Sequence, residues 1–203
     1  ESKVVWSDQW QEHWDNLPDL KANISTGLLK ALNTENNVKT STEVVSPEAY
    51  KCYLEAQYKF DNLKNISEIV VIRGLLTKSL SINQNLIESN WLLARTYYHT
   101  SNYEKAKELS FQIIEKGEKN DNYKIVAEVL RGLGNHYTFM RDFNKAIEYN
   151  QRALDISKKI NDAYNIARST CVLAWAYAEG NFKPVEVISE MFKSSLLIYE
   201  ELE

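Results

Sequence analysis

The side chains best suited to chemistry are few and scattered. Histidines stand at His13, His99 and His136, and cysteines at Cys52 and Cys171. A zinc site draws on several Cys, His or carboxylate ligands at short spacing, and none of the three histidines has such a partner. Each cysteine sits in a helix-like apolar pattern, so a buried free thiol in a reducing compartment is expected rather than a bridge. Gly132-Leu133-Gly134 has the G-x-G of a phosphate loop, but no strand pattern precedes it and no third glycine follows, so it reads as helix packing. The runs that mark a nucleotide loop, a zinc protease or a serine hydrolase are missing from the sequence. Glu115, Glu118 and Asp121 gather near a turn and read as a solvated face. A non-enzymatic chain with no cofactor and no metal is therefore expected.

Composition narrows the class. The 203 residues are 44% hydrophobic and 26% charged, an ordinary globular balance. Six glycines and three prolines disfavour a turn-rich all-β fold and low-complexity disorder. Twenty-four basic against 28 acidic residues leave a net charge of −4, which argues against nucleic acid as a partner. No apolar run approaches the roughly 18 residues that span a bilayer, and no N-terminal apolar region suggests secretion. No membrane association and a cytoplasmic location are expected. The Asn-x-Ser triplets at Asn23 and Asn65 then read as chance.

Stepping along the chain, Ser2 to Trp10 carries β-formers and no helical stripe, and predicts a short strand. A lone strand needs partners, so these residues read as part of something longer. Pro18 and Asp19 suit a first helical turn, and Leu20, Ile24, Leu28 and Ala31 recur at helical spacing. Residues 33–46 are polar, lack a period and predict a linker. Ser46-Pro47-Glu48-Ala49 predicts a helix start, with a cap, a proline in the first turn and an acid at the positive end. Further helical segments are predicted over 67–82, 87–100, 103–117, 122–140, 143–160, 162–179 and 184–201. The breaks between them suit helix hairpins.

These segments repeat. Leu93-Ala94-x-x-Tyr97, Leu133-Gly134-x-x-Tyr137 and Leu173-Ala174-x-x-Tyr177 lie on first helices. Asn102-Tyr103-x-x-Ala106 and Asp142-Phe143-x-x-Ala146 begin second helices, with Gly180-Asn181-Phe182 in the corresponding place later. Late positions at 79, 113, 153 and 195 are separated by 34, 40 and 42 residues. The small residues let paired helices approach, and one hairpin cannot bury its apolar face alone, so neighbours must stack.

In these residues the chain resembles the tetratricopeptide repeat family over roughly 46–203. The resemblance implies an all-α fold: a right-handed superhelix of stacked antiparallel helix hairpins in about four repeats, near 47–83, 87–118, 122–160 and 162–203. It also implies a protein or peptide partner. Residues 1–32 would be the strand and helix of a preceding α/β domain, joined by the linker. Leu196, Leu197, Ile198 and Tyr199 on the last helix suggest a homodimer contact.

The front end carries a second resemblance. Val5-Trp6-Ser7-Asp8-x-Trp10, Leu17 with Leu20 and Ile24, and Ser46-Pro47-Glu48-Ala49-Tyr50-x-x-Tyr53-Leu54 are similar to bacterial proteins with a TolB-like α/β domain ahead of tetratricopeptide repeats. Many of that family begin with a class III adenylate cyclase domain, others with a winged-helix DNA-binding domain. The resemblance implies the regulatory part of a signalling protein whose chemistry lies in another domain.

The repeat resemblance places the first helices on a concave surface. Glu88, Trp91, Arg95 and Tyr98 would face it from one repeat, Glu128, Arg131, Asn135 and Thr138 from the next, and Arg168, Cys171, Trp175 and Ala178 from the last. Arg95, Arg131 and Arg168, with Asn135, would clamp a peptide backbone or a carboxylate through guanidinium and amide groups. Trp91, Tyr98 and Trp175 would be apolar anchors. Alternatively this face satisfies itself, the arginines paired with Glu88 and Glu128 and the tryptophans buried.

Overall fold

The computed structural model describes residues 46–202. The expected strand and helix within 1–32, and the linker up to residue 45, lie outside the described residues. Among those described there are eight α-helices and no strand. They are α1 (Pro47–Asp61), α2 (Ile69–Ile82), α3 (Ile87–His99), α4 (Tyr103–Lys119), α5 (Tyr123–Phe139), α6 (Phe143–Lys159), α7 (Ala163–Gly180) and α8 (Val185–Leu202), with a 3-10 turn at Ile66–Glu68 before α2. The fold is all-α, a series of helix hairpins. The helix ends from α2 onward fall within two residues of the predicted segments.

The chain divides between Leu93 and Ala94 into two compact units. In the first, α1 packs on α2. Ala56, Phe60, Ile69, Ile72, Leu76 and Leu92 form its core, with Tyr53, Leu63, Leu75 and Leu93 against it. Pro47 and Glu48 suit the first turn of α1, but Ser46 makes no side-chain capping bond. Ser79 on α2 donates its hydroxyl to the Ala49 carbonyl at 2.7 Å, and its Oγ lies 2.8 Å from that of Ser89.

The second unit is regular because its turns are. Ser101, Asp121, Arg141, Asn161 and Asn181 adopt φ of 53–59° and stand 20 residues apart. The N–H of the following residue returns to the carbonyl five residues back, at 2.8–3.0 Å in all five turns. The left-handed residue's own N–H bonds the carbonyl three back. This pair of bonds closes a helix C-terminus by satisfying its orphan carbonyls. In the first four turns the residue after the left-handed one is the N-cap of the next helix. Asn102, Asp142 and Asp162 accept the N–H three residues on with their side chains, each such cap worth about 1 kcal/mol.

Two helices with their turns therefore recur every 40 residues, the separation seen between positions 113 and 153. The shorter step of 34 follows from shorter helices, with 14 residues in α2 and 13 in α3, against 17 in each of α4, α5 and α6. In the last hairpin the turn at Asn181 keeps its place, and the two extra residues fall between Phe182 and the start of α8.

Packing in this unit runs α4 on α5, α5 on α6, α6 on α7 and α7 on α8, with α5 also against α7. Val126, Val129, Leu130, Leu133, Ala146, Ala153, Leu173 and Ala174 are buried. A side chain on Gly117 would come within 2.7 Å of the Val126 Cγ2, so only glycine allows α4 to sit this close to α5. Ser195 on α8 donates to the Ala167 carbonyl at 2.8 Å, the same device as Ser79 on Ala49. On α8, Val185, Val187, Phe192, Leu196 and Leu197 are exposed. No helix among the described residues is long and apolar enough to cross a membrane.

Candidate functional site

The 40-residue repeat puts Arg95, Asn135 and Trp175 at equivalent places on α3, α5 and α7. Trp91, Arg131 and Cys171 share the place one turn earlier. The structure separates side chains used by the fold from those left available.

Arg131 is the central case. Its Nε is buried and has no hydrogen-bond partner among the described residues. Burial pushes its guanidinium down to about 10. The charge of Arg168, and less strongly that of Arg95, acts in the same direction, while Glu128 and Tyr164 oppose it. Arg131 thus feels the charge of both other predicted arginines. Among the described residues no carboxylate is at ion-pair distance from Arg131 or Arg168. Glu128 attracts Arg131 only at longer range, so the self-satisfied pairing with Glu128 is not formed. Glu88 lies near Tyr50, where its charge adds to burial in raising the phenol.

Arg168 is half-buried, its guanidinium 5.3 Å from the centre of the Tyr164 ring. Tyr164 meets Tyr199 of α8 edge-on at 6.0 Å. Burial raises the Tyr199 phenol, and the charges of Arg168 and Arg131 pull it back. Asn135 is half-buried and makes no hydrogen bond among the described residues. Trp175 is half-buried and meets Phe139 edge-on at 5.1 Å, and Phe139 is 69% exposed.

Other predicted groove residues are committed elsewhere. Tyr98 packs between helices: its hydroxyl is 3.2 Å from Ser110 Oγ, and its ring 5.1 Å from His136. Burial pushes its phenol up to about 12. Trp91 is only 6% exposed, so it displays little surface as an anchor, and its Nε1 has no hydrogen-bond partner among the described residues. Thr138 is buried and donates to the Gly134 carbonyl at 3.0 Å. Cys52 and Cys171 are both free thiols.

Phe139, Tyr164 and Tyr199 were not among the predicted site residues. Spacing could have found two of them. Phe139 is four residues after Asn135, and Tyr164 four before Arg168, so each shares a helix face with its partner. Tyr199 comes from a second helix, and no signal on the first helices points to it.

His136 is buried among tyrosines, 4.5 Å from the Tyr103 ring and 5.5 Å from that of Tyr137. Among the described residues no group of three His, Cys, Asp or Glu side chains gathers as a metal site.

The chain matches the family described as tetratricopeptide repeat over residues 85–159 and again over 125–184. No curated protein matches it. Such repeats generally mediate protein–protein interaction and are typically non-catalytic.

Proposed function

We propose, from the premise that residues 85–184 are tetratricopeptide repeats, that the chain is a non-catalytic interaction module capturing a peptide or a segment of a partner protein on the faces of α3, α5 and α7. The patch of Asn135, Phe139 and Trp175 carries this reading. It pairs an amide with no hydrogen bond among the described residues with two aromatic rings that the fold leaves partly or largely open. An amide offers a donor and an acceptor to an extended backbone, and aromatic anchors supply most of the energy in such contacts.

Selecting randomised displayed peptides on the purified chain tests it. Selected peptides should lose at least about tenfold in affinity with Trp175→Ala or Asn135→Ala, because truncating a central anchor costs that much. Lys105→Ala, exposed on α4, should leave binding unchanged. Equal binding to all variants, with their circular dichroism intact, overturns the reading.

The Trp-Ser segment near Val5 supports placing the module in a larger bacterial signalling protein in the cytoplasm, beside a cyclase or winged-helix domain. Sequencing the gene upstream of Glu1 tests that placement: either domain supports it, and neither refutes it.

A further inference from the structure

We propose that the open face of α8 docks an amphipathic helix of a partner protein, apolar along one stripe and basic at its flanks. This surface is on a second helix and not on the faces of α3, α5 and α7, so it goes beyond the interaction reading above and does not depend on it.

The repeat supplies its own control. Ile113, Ala153 and Ser195 hold equivalent places on α4, α6 and α8, so Ile114, Leu154 and Leu196 do too, as do Ser110, Asn150 and Phe192. Ile114 and Leu154 are each 6% exposed, whereas Leu196 is 57% exposed. Ser110 and Asn150 are fully buried, whereas Phe192 is 38% exposed. Val185, seven residues before Phe192 and so on the same side of the helix, is exposed as well. α4 has α5 packed against it and α6 has α7, each the first helix of the following hairpin. On α8 the residues that such a helix would cover form an open stripe of Val185, Phe192 and Leu196. A contiguous exposed apolar stripe marks a site of association, and a helix is the element that covers its equivalents.

Charge chooses the occupant. Glu186, Glu190, Glu200 and Glu201 are exposed on α8, and Lys193 is its one basic residue, which leaves the helix at −3. α4, with four residues of each sign, is neutral. α6, with four basic residues and two acidic ones, stands at +2. The α8 of a second copy would bring −3 against −3. A helix with Lys or Arg beside its apolar stripe gains from the same charges.

Side-chain size sets the fit. A side chain on Gly117 would come within 2.7 Å of Val126 on α5, so that place must stay small for the next helix to come close. α6 has the fully buried Ser157 there, and α8 has Tyr199. Tyr199 meets the exposed Tyr164 of α7 edge-on at 6.0 Å. It stands three residues after Leu196, so the two rings prolong the stripe. A helix seated on α8 must pass around this pair, and it lies differently from α5 on α4.

The test is a titration of the chain with a fluorescein-labelled helical peptide of Leu and Lys, its leucines at i, i+3, i+4 and i+7, followed by anisotropy. A peptide with Glu in place of every Lys is the comparison. The Leu–Lys peptide should bind saturably and more weakly as salt rises, and the Leu–Glu peptide should not bind. Leu196→Asn and Phe192→Ala should each weaken binding at least about tenfold. Leu196 is exposed, so its variant carries the test if Phe192→Ala fails to fold. Glu186→Gln with Glu200→Gln should flatten the salt dependence. Absence of binding, or equal binding to the Leu196 variant, overturns the proposal. Equal binding of the Leu–Glu peptide overturns the basic partner. Binding lost with Trp175→Ala but kept with Leu196→Asn moves the peptide to the first helices and overturns the α8 site. A mass by light scattering that doubles with concentration, and stays monomeric in Leu196→Asn, overturns it in favour of a second copy.

Discussion

Gly134 on α5 lies so close to Asn150 on α6 that a methyl group at residue 134 would overlap the Asn150 amide. Asn150 is fully buried, and neither atom of that amide has a hydrogen-bond partner among the described residues. The equivalent residues one repeat earlier are Ala94 and Ser110, 40 residues back in each case. There the smaller serine donates to the Ala106 carbonyl at 2.8 Å. A larger residue on one helix is thus matched by a smaller one on the other.

Gly134→Ala should therefore destabilise the chain by about 1–3 kcal/mol, the usual cost of overpacking. In an Asn150→Ser background the same change should cost less than about 1 kcal/mol, since the pair then reproduces Ala94 and Ser110. Urea unfolding of the two single variants and the double variant measures the coupling. Additive effects would mean the two residues do not press on each other.

The helices were legible because apolar periodicity and polar caps mark their limits. The evenness of the turns was not. The left-handed residues Ser101, Asp121, Arg141, Asn161 and Asn181 include no glycine, the residue that usually signals such a conformation. The repeat does not align the arginines, since Arg95, Arg131 and Arg168 stand 36 and 37 residues apart in a repeat of 40. The fates of Tyr98, Trp91 and Thr138 could not be read either. A side chain at the edge of a helix face can turn toward a neighbour or away from it, and sequence spacing does not choose. Tyr98 turns to Ser110 and His136, and Thr138 to its own backbone. Tyr199 meets Tyr164 from outside the first helices altogether.

His136 makes stability depend on pH. Burial lowers its pKa from the ordinary value of 6.5, Lys107 adds to the shift, and Glu104 opposes it. The Tyr98, Tyr103 and Tyr137 rings pack around it. The folded chain thus holds the proton less tightly than the unfolded one. Below the ordinary value the unfolded state takes up the proton first, so stability falls as pH drops through 6.5 and toward the depressed folded value. Between pH 7 and pH 5 the chain should lose stability, and His136→Phe should lose less. His99 is shifted the same way by burial and Arg95, and should keep part of the slope. Urea unfolding across that pH range decides it; an identical slope in the variant would mean that His136 is not shielded.

Arg131 lets structural and binding roles be told apart by the sign of one measurement. A cation that stabilises the fold through its own contacts should weaken the chain when replaced. Here Arg131 is largely withdrawn from water, its Nε has no partner among the described residues, and the charges of Arg168 and Arg95 disfavour its own. Replacing it with an apolar side chain of similar length removes the repulsion and the desolvation cost while keeping much of the packing. Arg131→Met should therefore raise the unfolding free energy by about 1 kcal/mol or more. Salt screens like charges, so added salt should stabilise the parent chain more than the variant. Stability given up at a site and regained when the site is altered is the mark of a residue kept for binding. A loss of stability in Arg131→Met, with no difference in salt response, would assign Arg131 to the fold.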